Sequence, residues 1–156
     1  MKSKTVAQSR ITLAQVMGPT DANTLGNVHG GIIMKICDEA GAMAAVRHAG
    51  GTVVTVTVDS MQFLSPVHVG NLMIVDACVT WVGRTSIETR VTVRAEKVAT
   101  GAITHTNTAY FVYVALDKDG KPKPVPEIIP ETEEEIAAFK NGELRRKLRL
   151  QLAEAD

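Results

Sequence analysis

The sequence predicts an α+β fold in which an antiparallel sheet wraps around one long buried helix, with a second helix on the surface at the C-terminus. Two observations carry this prediction. From Gly31 to Ala49 there is no proline and the only polar side chains are Lys35, Asp38, Glu39, Arg47 and His48, so a helix there is apolar around most of its circumference and belongs inside. After Gly50-Gly51 the period changes from helical to alternating, and the strands that follow are joined by short turns, as in an antiparallel meander. A sheet with one early apolar helix must curl about it. One curled sheet leaves edges and part of the helix uncovered, which predicts dimerisation by sheet extension or helix-face pairing.

Taken in order, residues 7–17 read as a first strand, with Ile11, Leu13 and Gln15 on one face, and Gly18-Pro19 ends it. A polar loop from Thr20 to His29 delivers the chain to the helix through Gly30-Gly31. Residues 52–58 alternate Val54, Val56 and Val58 with Thr55 and Thr57. The phase then slips near Asp59-Ser60, where we expect a bulge or bend. In the strand 72–82 the odd positions from Met73 to Trp81 are uniformly apolar. Ser86 to Lys97 alternates Ile87, Val91, Val93 and Ala95 with Glu88, Arg90, Thr92, Arg94 and Glu96, the pattern of a sheet that wets one face. A final strand covers 103–116. The segment from Lys121 to Pro130 carries four prolines and reads as an extended connector. Thr132 and Glu135 form a capping box for a charged, peripheral helix, interrupted near Asn141-Gly142. The expected division is a main domain over 1–130 and a helical extension over 131–156.

Composition excludes several functions. The 156 residues suffice for one domain with a real core, and 45% hydrophobic content with 22% charge argues for a folded protein. Lys plus Arg and Asp plus Glu number 17 each, so no net field attracts nucleic acid or an anionic membrane surface, and 4% aromatic content leaves few stacking platforms. The N-terminus lacks the apolar core of a signal peptide, and no apolar run reaches the roughly 18 residues of a membrane span. A cytoplasmic protein is expected. Cys37 and Cys78 have neither a CxxC spacing nor a nearby histidine, so both read as core thiols, and no metal site is expected.

The chemistry concentrates in the loop and helix. On a helical wheel Gly31, Met34, Gly41, Ala42 and Ala45 lie within about 60° of Asp38, so this carboxylate sits on a small, greasy face. Desolvation there disfavours the charged form unless something compensates, as at many working acids and bases. The alternative is a structural ion pair with Lys35. Glycines at a helix start leave backbone N–H groups open to an oxyanion or a polarised carbonyl, or else merely permit tight packing.

The segments DANTLGNVHGG and DEAG, followed by VTVTVDSMQFLSPVHVG and VGRTS, resemble the hotdog-fold acyl-CoA thioesterases, close to the bacterial short-chain and brain-type cytosolic acyl-CoA hydrolases. The resemblance spans roughly residues 8–130. It implies hydrolysis of acyl-CoA to fatty acid and CoA, with Asn23 and Asp38 as catalytic residues and the Gly30 and Gly31 backbone polarising the thioester carbonyl. It also places Arg84 and Ser86 near bound CoA. No cofactor is implied beyond the CoA carried by the substrate. A homodimer, assembling further as a trimer of dimers, is the implied state, without nucleic-acid or membrane partners.

Asp38 lies seven or eight residues beyond the helix start, about 10–12 Å along the axis. One carbonyl cannot touch both, so the resemblance implies a site shared across the dimer. Asp38 is then a general base or a nucleophile, Glu39 a structural residue and His29 an anchor for the loop. Two other readings stay open: an acyl-CoA-binding regulator, or an acyl-CoA hydratase or dehydratase built on an Asp/His pair.

Overall fold

The computed structural model describes residues 1–156. Its elements are β1 (Lys4–Thr5), β2 (Ile11–Val16), α1 (Gly30–Ala49), β3 (Val53–Asp59), β4 (Leu72–Val82), β5 (Ser86–Lys97), β6 (Ala102–Ala115), β7 (Ile128–Ile129) and α2 (Glu133–Ala155). Five strands form an antiparallel sheet in the order β2-β4-β5-β6-β3, and β1 pairs with β7 in a separate two-stranded ribbon. The expected succession of strand, helix, four strands and helix is present.

The inner face of the sheet carries α1. Ile33, Ile36, Cys37, Ala40, Ala44 and Ala45 pack on Val75, Val79, Val91, Val93, Phe111 and Tyr113 in one continuous core. Gly41 sets how close the helix comes: a Cβ there would lie 2.5 Å from the Tyr113 hydroxyl and 2.8 Å from Thr89 Oγ1. The helix is not buried all round, as its composition suggested. Met34 and Met43 are more than a third exposed, because the sheet of a single chain covers one side only.

Three register shifts interrupt the sheet, at Val56, Thr80 and Thr106, and at the first two an extra residue turns the strand's later side chains over. In β4 the register shifts between Val79 and Trp81. Trp81 is thereby turned away from the inner face, where its alternation placed it, onto the outer face against Gly142. In β3 the shift falls at Val56 and not at Asp59-Ser60. The strand simply ends at Asp59, and Ser60 has a positive φ of 31°.

The outer face is wet only in part: Thr12, Asp76, Thr92 and Arg94 stay partly or fully open to solvent as expected, while α2 covers the rest. Helix α2 lies on it without the expected interruption, because Gly142 serves close packing, its absent Cβ falling 2.5 Å from Trp81 Cβ. Glu88, expected to face solvent, is fully buried. It accepts from Arg145 through Nε at 2.9 Å and Nη2 at 2.8 Å, and from Thr80 Oγ1 at 2.7 Å. The Arg145 guanidinium also lies 3.7 Å over the Tyr110 ring. A buried carboxylate needs such multiple partners to offset its desolvation. The capping box forms as read: Thr132 Oγ1 accepts from Glu135 N, and the Glu135 carboxylate accepts from the N–H groups of Glu131 and Thr132. These backbone donors hold the Glu135 carboxyl below its ordinary value. No helix is long and apolar enough to cross a membrane.

Candidate active site

The loop before α1 is shaped by its own polar side chains. Asn23 Oδ1 accepts from the N–H of Leu25 at 2.9 Å and of Asn27 at 3.2 Å, closing a compact turn and leaving the side-chain NH₂ as donor. His29 caps the helix, its Nδ1 accepting from Gly31 N at 3.0 Å. The Gly31 N–H is therefore spent within the chain. Gly30 and Asn23 line a common cavity of about 270 Å³, walled by Ile33, Phe63, Leu64 and Val67. The Phe63 ring lies over Gly30, with Cζ 3.5 Å from where a Cβ would stand.

Asp38 occupies a different place. Its Oδ1 accepts from Thr55 Oγ1 at 2.8 Å and lies 3.1 Å from the Tyr113 hydroxyl, which also lies 3.0 Å from the Asp38 carbonyl. Lys35 pairs with Glu39 instead, at 3.9 Å, so the structural ion pair considered for Asp38 does not form. Burial, reinforced by the adjacent Asp38 charge, pushes the Tyr113 phenol far up, so it stays protonated and donates. Oδ1 thus accepts from Thr55 and shares the single Tyr113 proton with the Asp38 carbonyl, while Oδ2 has no hydrogen bond within the chain.

Thr55 and Tyr113 are the site residues that sequence reasoning missed. Thr55 reads as one polar residue of an alternating strand, and Tyr113 as part of the apolar run FVYV. Only the pairing of Thr55 with Tyr113 across β3 and β6 sets both beneath Asp38. On the other side of β6, Ile87 pairs with Tyr113 and the preceding Ser86 with Val114. The turn carrying Arg84 and Ser86 is therefore next in register to the Asp38 row, with the Ser86 side chain on the opposite face toward Arg146 of α2. Arg84 is exposed, and Ser86 Oγ has only a 3.5 Å contact from Arg146.

The remaining candidates separate cleanly. Cys37 is fully buried, and burial pushes its thiol up to about 12, which removes it as a nucleophile. His48 is buried with Nε2 2.7 Å from the Pro126 carbonyl, and burial lowers its pKa. It is not paired with Asp38. No group of three or more His, Cys, Asp or Glu side chains is placed to hold a metal ion.

An antiparallel sheet packed on a long helix that carries a carboxylate at mid-length is the arrangement of the hotdog thioesterases. The thioesterase superfamily profile matches residues 25–102, and the chain belongs to that family. The cytosolic acyl coenzyme A thioester hydrolase of Mus musculus is 36% identical over 143 residues, covering 90% of this chain and 38% of the mouse protein. The chain thus spans well under half the length of that relative. Among solved structures, a hexameric acyl-CoA thioesterase is 37% identical with a TM-score of 0.94 and 98% of both chains covered. An acyl-CoA hydrolase from Staphylococcus aureus, in complex with butyryl coenzyme A, coenzyme A and coenzyme A disulfide, is 32% identical with a TM-score of 0.89, covering 98% of this chain and 95% of that one.

Proposed function

We propose that this protein hydrolyses the thioester of fatty acyl-CoA to free fatty acid and CoA, at sites shared between the two subunits of a homodimer. The observation that carries this reading is the Asp38 carboxylate, held on one oxygen by Thr55 and Tyr113 and free on the other, two helical turns from the cavity that holds Asn23 and Gly30. The relatives named as acyl-CoA hydrolases support it.

In this reading the thioester carbonyl of the substrate accepts from the Gly30 N–H at the positive end of α1, where developing oxyanion charge is favoured. Gly31 contributes by admitting the substrate close to the helix start, its own N–H being taken by His29. Asn23 orients the attacking water or the carbonyl through its NH₂. Asp38 Oδ2, from the partner subunit, takes the proton of that water as general base. The tetrahedral intermediate then collapses with release of the CoA thiolate. Arg84 and Ser86 hold the CoA portion, an exposed guanidinium suiting its phosphates. The scheme uses no cofactor besides the CoA of the substrate.

The unpartnered surface supports a dimer. β3 is an edge strand whose Val54, Val56 and Val58 are all exposed, and the open side of α1 presents Met34 and Met43. A second copy adding its own β3 would close the edge and cover these side chains. Assembly of three such dimers is our reading of relatives described as hexameric, and a cytosolic setting that of a relative named cytosolic.

The test is thiol release from acetyl-CoA through palmitoyl-CoA, followed with a free-thiol reagent. Thioester cleavage with a definite chain-length optimum is expected. Tight binding of an acyl-CoA without thiol release would instead mark a regulator, and water addition to an enoyl-CoA a hydratase.

A further inference from the structure

The C-terminal helix lies outside the family match at residues 25–102, yet it reaches the strand that carries Thr55. Arg149 on α2 forms an ion pair with Asp59, the last residue of β3, and lies 3.6 Å from the buried Glu88. Thr55 and Asp59 are four residues apart, so in a regular strand their side chains would share one face. The bulge at Val56 separates them. Thr55 pairs with Tyr113 and faces α1, while Asp59 pairs with Tyr110, whose ring lies under Arg145 of α2. One short edge strand is therefore gripped from both sides: by Asp38 through Thr55, and by α2 through Asp59.

This grip matters because β3 is interrupted by its bulge and, within the chain, is held by β6 alone, its other edge being left to the partner copy in the proposed dimer. The loop that leaves it, through Ser60 with its positive φ, carries Phe63 over Gly30. The anchor at the far end is firm. Arg145 and Arg149 converge on Glu88 and Asp59, and Gly142 is pressed against Trp81.

We infer that Arg149 is a positioning residue for the thioesterase reaction: by holding Asp59 from the outer face of the sheet, it fixes the β3 register that brings the Thr55 hydroxyl to Asp38. This makes α2 part of the working site. The inference rests on the hydrolase reading above, so its test includes a measurement that needs no activity.

The experiment compares Arg149→Ala, Arg149→Lys and the near-isosteric Asp59→Asn, each alone and combined with Thr55→Val. Turnover of butyryl-CoA is measured well below the unfolding temperature, and hydrogen exchange of the β3 amides is followed in parallel. Arg149→Ala and Asp59→Asn are expected to lower kcat about 10-fold with little change in KM, the cost of a small misplacement of a reacting group. Arg149→Lys should recover part of it. In the Thr55→Val background the same substitutions should add less than about 2-fold, since residues acting through one another are not additive. β3 amides should exchange about 10-fold faster in Arg149→Ala, with core β5 amides unchanged. Undiminished kcat in both Arg149→Ala and Asp59→Asn, or equal losses with and without Thr55, would overturn the inference. If the parent protein releases no thiol, the hydrolase reading fails, and unchanged β3 exchange then rejects the Arg149 anchor on its own terms.

Discussion

The two ends of the candidate site use the same helix in opposite ways. At its start, α1 offers backbone: His29 caps Gly31, and Gly30 opens onto the cavity shared with Asn23. At its middle, α1 offers a side chain, Asp38, whose position depends on hydroxyls from β3 and β6. The first end is local in its polar groups, Asn23 to Gly31, with Phe63, Leu64 and Val67 only walling the cavity. The second is assembled over 17 residues to Thr55 and 75 to Tyr113. A local end should tolerate distant change, whereas an assembled end should fail when any of its supports moves.

Replacing the reacting group should have the largest effect. Asp38→Ala is expected to fold and to lose about 10²–10⁴-fold in kcat for butyryl-CoA hydrolysis, the range for a general base. If Asp38 acts as base and not as nucleophile, single-turnover hydrolysis in ¹⁸O-labelled water should leave no label in its carboxylate, as mass spectrometry would read. Thr55→Val keeps the shape and removes the donor. A hydrogen bond to a charged group contributes about 1.5–3 kcal/mol, so kcat should fall about 10- to 100-fold while circular dichroism stays unchanged.

Gly41→Ala tests the packing beneath the assembled end. The added methyl must displace the Tyr113 hydroxyl or Thr89, so unfolding stability should drop by about 1–3 kcal/mol and activity should fall with it. The local end should be the more forgiving. His29→Ala removes one helix cap and frees the Gly31 N–H, which should cost about 1 kcal/mol in denaturant unfolding. If its loss of activity exceeded that of Thr55→Val, the contrast between the two ends would be wrong.

The same contrast explains what the sequence reveals. The helix and the succession of the strands are legible because they rest on period and turn chemistry, and Asn23, Gly30 and Asp38 are named by a contiguous motif. The sheet order is not legible, since β3 pairs with β6 and not with β4 as a simple meander would have it. Thr55 and Tyr113 are not legible as partners, since nothing local encodes their register. The Val56 and Thr80 bulges are hidden because alternation shows faces but not which residue is left unpaired. Glu88 reads as a solvent-facing glutamate. Its burial depends on Arg145, 57 residues away, and on a glycine at position 142 that reads as a helix break. The apolar girth of α1 reads as complete burial, although a single sheet covers only half of it.

The central claim is that a working site takes its two ends from different subunits. Asn23→Ala and Asp38→Ala proteins, each with its activity abolished or much reduced, are mixed in equal amounts under conditions of subunit exchange. In a mixed dimer one site carries both substitutions and the other carries neither. With random exchange half of the dimers are mixed, so activity should return to about one quarter of the unmodified protein's level. Heterodimers demonstrated by mass spectrometry that hydrolyse acyl-CoA no faster than the separate variants would contradict it.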